Sequence, residues 1–216
     1  MSKKMALLLV GLLVIAGASA VGQKVKTEKP HDRLHDEAKK AGGGFVLRYK
    51  PNRSTIYPNI EELAKRSDLI IVGRTLGNQS QIRPDGNFIT KDFLVKVQEV
   101  IKGELPVGSR SIVVSLPGGG HRFPDGTYAM VSPLGQKEAQ DNGVYVFFLK
   151  AKTKKKDPAF KGHLLASETQ GLFALTNGKV EPADLAADDP IVVKYRDMDV
   201  PSFLSEIHKA VPRKKK

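Results

Sequence analysis

From Asp68 onward the chain reads as short apolar, β-branched runs separated by turn residues. "DLIIVGRTL" (68–76) is long enough for a strand and too short for a helix of its own. "RPDG" (83–86) marks a turn. In "FITKDFLVKVQEVIKGELPVG" (88–108), Phe93, Val95 and Val97 alternate with Leu94, Lys96 and Gln98. Glu99 then follows Gln98 before Val100 and Ile101, so the phase slips. Such a slip predicts a β-bulge and a sharply bent strand, and bent strands build small closed barrels. "RSIVVSLPGGG" (110–120) repeats the β-branched texture, and "GVYVFFLK" (143–150) is apolar on both faces, as a central buried strand requires. Asn177-Gly178 within "GLFALTNGKVEP" (171–182) predicts a hairpin.

Helical patterns flank this β-rich body. "HDRLHDEAKKA" (31–41) reads as one short helix that the following glycines break. In "YPNIEELAKRSD" (57–68), Asn59 caps a second, with Glu62 at the capping-box position. "DVPSFLSEIHKAV" (199–211) has Asp199 at its start, Pro201 in its first turn and an apolar side of Phe203, Leu204, Ile207 and Val211. The expectation is a mainly β fold, a small barrel with a short N-terminal helix and a C-terminal helix.

The N-terminal pattern changes the domain picture. Lys3 and Lys4 precede an apolar stretch from Met5 to Ala16, and Ala18-Ser19-Ala20 fits a cleavage site. Residues 1–20 are therefore expected to be a signal peptide. They would be followed by a basic flexible leader (21–53), the barrel domain (54–212) and a basic tail (213–216). The protein is expected to be exported, periplasmic or secreted, with no transmembrane segment after cleavage. The chain has no cysteine, so burial rather than disulfides must hold it together.

Charge is uneven. The formal net charge of +12 sits in Val21–Arg53 (nine basic, four acidic), Lys150–Lys161 (six basic, one acidic) and Arg213–Lys216. What remains after the signal peptide holds 14 basic and 18 acidic residues, so the body lacks the basic face of a nucleic-acid reader. No specific nucleic-acid recognition is expected. Lys152, Lys154, Lys155 and Lys156 are candidate contacts to an envelope polyanion.

"RSDLIIVGRTL", "FLVKVQEVIKGELPVGS", "SIVVSLPGG" and "GVYVFFLK", in that order, resemble a group of exported bacterial proteins of no assigned function. The same pieces are more distantly similar to the netrin-like module of the tissue inhibitors of metalloproteinases. The resemblance covers Glu61 to Leu149 and includes the "KG" turn at Lys102-Gly103. It implies an OB-like barrel. It does not carry over the inhibitors' zinc chelation, which uses an N-terminal cysteine absent from this chain.

Candidate chemistry centres on "SLPGGGH". Proline, Asp125-Gly126 and a β-rich run follow the glycines and leave no room for the helix of a phosphate cradle. Gly118, Gly119, Gly120 and His121 are read as a wide turn between strands that could face a ligand. Ser115, His121 and Asp125 supply triad residue types without a G-x-S-x-G elbow, leaving an exported hydrolase or metal-dependent enzyme as the alternative. His31 and His35 share a helix face, but Asp32 replaces the glutamate that a zinc protease needs. Asp188-Asp189 before Pro190 is read as a turn. Tyr128, Tyr145, Phe147 and Phe148 divide between core and a stacking surface. The expected function is a non-catalytic binding or structural module whose partner is a protein or an envelope polyanion, monomeric, with no catalytic residue, cofactor or metal assigned.

Overall fold

The computed structural model describes residues 32–151 and 162–212. The expected signal peptide, the start of the leader, the candidate lysines Lys152, Lys154, Lys155 and Lys156, and the basic tail lie outside them. The elements run α1 (Arg33–Lys40), β1 (Gly44–Tyr49), α2 (Ile60–Arg66), β2 (Leu69–Ile82), β3 (Ile89–Lys102), β4 (Ser111–Pro117) and β5 (Gly119–Arg122). They continue with β6 (Tyr128–Pro133), β7 (Val144–Lys150), β8 (Leu164–Leu165), β9 (Leu172–Thr176), β10 (Lys179–Pro182), α3 (Pro190–Tyr195) and α4 (Val200–Ala210). The fold is mainly β with flanking helices.

The larger sheet has the order β10-β9-β7-β2-β3-β4, with β8 beside β7. Its middle strands are apolar on both faces because each face meets a different core. Ile70 and Val72 of β2, with Val146 and Phe148 of β7, pack under α2, α3 and α4 through Leu63, Tyr195, Phe203 and Ile207. Leu69 and Ile71, with Phe147 and Leu149, pack instead against Phe93, Val95, Ile112 and Val114 from β3 and β4. Phe173 joins the helical side, with its ring 4.9 Å from Phe203 and 5.7 Å from Phe148.

The phase slip in β3 is a bulge. Val72 pairs with Glu99 and Gly73 with Val97, which leaves Gln98 as the extra residue. Ile101 in β3 and Leu76 in β2 are skipped in the same way, so the long β2–β3 ribbon bends repeatedly. Phe93 and Val95 are buried as expected, while Val97 is only partly covered.

The sheet nevertheless does not close into a barrel. Among the described residues its free side at β4 meets a short segment: His163 N–H donates to the Val113 carbonyl (2.8 Å) and Ser115 N–H donates to the His163 carbonyl (2.9 Å). Leu164 and Leu165 then pair with Lys150 and Leu149. β8 is two residues long, too short to carry a ladder from β4 to β7, and the rest of that β7 edge belongs to β9.

A second sheet, β1-β6-β5, has β1 parallel to β6. α1 packs on it through Leu34 and Ala38, which share a core with Phe123, Ala129, Val131 and Ile89. Residues 32–53, expected as flexible leader, are thus part of the fold. The physical reason is the apolar side of α1 and the alternation of Phe45, Leu47 and Tyr49 toward that core. Asn59 caps α2 by accepting from Glu62 N–H at 2.9 Å. Asn177 (φ 51°) and Gly178 (φ 76°) form the β9–β10 hairpin. Asp188-Asp189, expected as a turn, leads into α3, which Asp189 caps through Ile191 and Val192 N–H.

Two outcomes follow. Val95→Asp places an unpaired charge in a fully buried site and is expected to cost about 3 kcal/mol or more in denaturant unfolding. A chain beginning at Ser54 is expected to melt at a lower temperature than the parent, because Phe123, Ala129 and Val131 lose their cover. An unchanged melting temperature would contradict the placement of α1 and β1.

A cleft at the seam between the sheets

The three glycines form the joint between the sheets. Pro117 ends β4, Gly118 turns, and Gly119 begins β5. Gly118 and Gly119 have φ of 107° and 120°, a region that a side chain disfavours. Gly118 N–H donates to the Ile89 carbonyl at 3.1 Å. A Cβ at Gly120 would collide with the Tyr128 hydroxyl. The expected wide loop is therefore a one-residue kink. Gly118 and Gly119 are buried, Gly120 and His121 half-buried, and the His121 ring lies edge-on to Phe123 at 4.9 Å.

Beside this joint lies a cleft of about 460 Å³. β3 and β4 contribute Thr90, Ser115 and Pro117, and the β2–β3 turn contributes Arg83, Asp85, Asn87 and Phe88. Leu164, Leu165 and Glu168 form the facing wall, and Tyr49 comes from the end of β1. Tyr49 and Phe88 meet edge to face at 5.1 Å and 82°. The Tyr49 hydroxyl donates a short hydrogen bond to Glu168 Oε2, and Asn52 N–H donates to the same oxygen at 2.8 Å. Burial first, and then the bond to the Glu168 carboxylate, hold the Tyr49 hydroxyl well above its ordinary pKa. It is a fixed neutral donor that latches the smaller sheet to the segment after β8.

Ser115, His121 and Asp125 are not brought together by hydrogen bonds. The Ser115 hydroxyl donates to Asp92 Oδ1 at 2.6 Å, within the β3–β4 ladder. Asp125 accepts from the Thr127 hydroxyl at 2.7 Å and pairs with His35 Nε2 at 2.8 Å. These two bonds hold its carboxyl well below the usual carboxylate range. His35 also stacks on Phe123, with centroids 4.1 Å apart and planes 10° apart. The histidine spacing of "HDRLHDE" thus serves, at His35, to fasten α1 to the β5–β6 turn, while His31 lies outside the described residues.

Other candidates are also engaged. Lys102 Nζ donates to the carbonyls of Ala64 (2.7 Å) and Ser67 (2.6 Å), capping the end of α2. Burial pushes its pKa down. Gly103, at φ 84°, lies so close to the Asp68 carbonyl that a Cβ would clash. The "KG" pair is therefore a structural joint. Arg53 pairs with buried Asp184 at 2.7 Å, and Gln170 Nε2 donates to Asp189 at 2.9 Å. Tyr145, Phe147 and Phe148 are core residues, and Tyr128 is half-buried over Gly120. His163 bridges β4 through its backbone, and His208 pairs with Glu99 at 2.8 Å.

Sequence reading missed Tyr49, Phe88, Arg83 and Glu168. They come from three separate stretches, β1, the β2–β3 turn and the segment after β8, and no local pattern marks their convergence. Among the described residues, no three His, Cys, Asp or Glu side chains are placed to hold a metal ion, and no helix is long and apolar enough to cross a membrane. No protein-family model matches the chain, and no curated protein matches it significantly.

The latch has an alkaline signature. Tyr49 is held above its ordinary value, and burial with the bond to Glu206 pushes Tyr195 up to about 12. Both favour the protonated, folded form. Their contribution is complete below the unfolded-state pKa of about 10 and disappears as pH rises through the folded values. Urea midpoints are expected to fall from about pH 10 upward, and less steeply in Tyr49→Phe. An absorbance titration in which all five tyrosines ionise together near pH 10 would contradict the latch.

Proposed function

We propose that the chain is an exported, non-catalytic binding module that holds an extended segment of a protein partner in the cleft between the two sheets. The observation that carries this reading is the make-up of the cleft. Leu164, Leu165 and Pro117 offer apolar wall, and the Tyr49–Phe88 pair offers an aromatic edge for an apolar side chain. Arg83 and Asp85 bring both signs of charge to the same rim, suited to a peptide rather than to a polyanion. The Tyr49–Glu168 bond fixes the rim in advance, which lowers the ordering cost of binding. Export rests on Lys3, Lys4, the apolar run and Ala18-Ser19-Ala20. The hydrogen bonds of Ser115 and Asp125 to other residues favour binding over the hydrolase alternative.

A photo-crosslinking residue at Asn87, tested in the envelope fraction of the protein's own cells, is expected to give one discrete adduct. The same probe at exposed Val193 on α3 is expected to give none. Leu164→Glu, with unchanged thermal unfolding, should abolish the Asn87 adduct. Equal labelling from both positions would overturn the cleft reading. A hydrolytic activity of the pure protein that Ser115→Ala removes would restore the enzyme alternative.

A further inference from the structure

β1 is the outer strand of its sheet, and among the described residues no strand pairs with its second edge. Tyr128 N–H donates to the Gly43 carbonyl and Leu134 N–H to the Tyr49 carbonyl, both at 2.8 Å. In a parallel ladder, alternate residues turn both backbone groups to the same neighbour. Gly43, Phe45, Leu47 and Tyr49 therefore serve β6, and Gly44, Val46 and Arg48 turn their N–H and C=O outward. Proteins guard such an edge with charge, proline or a bulge. β1 is unbulged against β6, and Val46 is 49% exposed.

We propose that this edge pairs antiparallel with β1 of a second copy of the chain, about a two-fold axis through Val46. The two small sheets would become one, with the same patch used by both copies. The strand stretch "GFVLR" (44–48) is self-complementary in that register. Val46 faces Val46, Phe45 faces Leu47 and Arg48 faces Gly44. Each cation meets a glycine and never another cation, and the aromatic–aliphatic pair occurs twice. Centring the axis on Arg48 would set that guanidinium against its own copy.

Gly44 is the second observation. A Cβ there would meet nothing within 4 Å, and its φ lies outside the left-handed region. Among the described residues nothing crowds this position, and the missing side chain leaves room for the long side chain of Arg48 from a second copy. Val46 pairs with its copy as a hydrogen-bonded site, and the two Gly44–Arg48 sites add theirs, giving about six backbone hydrogen bonds across the axis.

The chain has no cysteine, so single-cysteine variants report cleanly. Facing Cα atoms at such a site stand about 5.5 Å apart, within reach of a short thiol-to-thiol linker. Val46→Cys is expected to link into a dimer readily, and Val193→Cys, at 58% exposure in the parent, is not. Sedimentation should show a species of twice the monomer mass. Val46→Pro removes an outward donor without touching the β6 ladder, and should weaken self-association at least tenfold. A parent chain that stays monomeric at the highest soluble concentration, or Val46→Cys linking no faster than Val193→Cys, would overturn the proposal. If Val46→Pro fails to fold, the cysteine pair decides alone.

Discussion

The molecule depends on β2 and β7 being buried on both faces. Along β2, Ile70 and Val72 belong to the helical core, and Leu69 and Ile71 to the core enclosed by β3 and β4. β7 repeats the arrangement with Val146 and Phe148 on one side and Phe147 and Leu149 on the other. Period-two alternation therefore does not separate core from solvent here; it separates one core from another. A chain without disulfides gains two hydrophobic layers from one pair of strands in this way. The bulges at Gln98, Ile101 and Leu76 let the β2–β3 ribbon bend far enough for β4 to cover the second layer.

The smaller sheet is attached to this centre through the glycine joint and through side chains. Gly118 and Gly119 lead β4 into β5, and Ile89 at the start of β3 belongs to the third core under α1. His35 with Asp125 holds α1, and Tyr49 with Glu168 holds the end of β1. The cleft lies at this seam, so its two walls are built from different cores. The latch ties Tyr49 to Glu168 across it, with β3, β4 and the β2–β3 turn lining one side and Leu164, Leu165 and Glu168 the other.

Strands were legible in the sequence where burial leaves a pattern. The slip at Gln98-Glu99, the two-faced run at Val144–Leu149 and the Asn177-Gly178 turn all stand as read. α1 was legible as a short helix, but its packing and β1 were hidden because lysines and the glycines Gly42, Gly43 and Gly44 give residues 32–53 the composition of a leader. Only pairing with β6 reveals the alternation of Phe45, Leu47 and Tyr49 as structural. The barrel expectation captured the bend of β3 but not the length of β8, which decides closure and has no signature in a local run. The cleft was illegible for a similar reason. Glu168 looks like a loop carboxylate until the fold brings it to Tyr49. The residues that drew attention are each engaged elsewhere, Ser115 with Asp92, His121 with Phe123 and Asp125 with His35.

If β2 and β7 bind the two cores of the larger sheet into one cooperative unit, damage to either core must weaken both. Native-state hydrogen exchange reads this directly. Phe173→Ala lies in the helical core and Val95→Ala in the opposite one. Each is expected to lower the exchange protection of Ile70, Ile71, Val146 and Phe147 amides by the same amount as it lowers global stability. The two cores must respond alike to either change. Loss of protection confined to the substituted core, with the other core unaffected, would contradict the account.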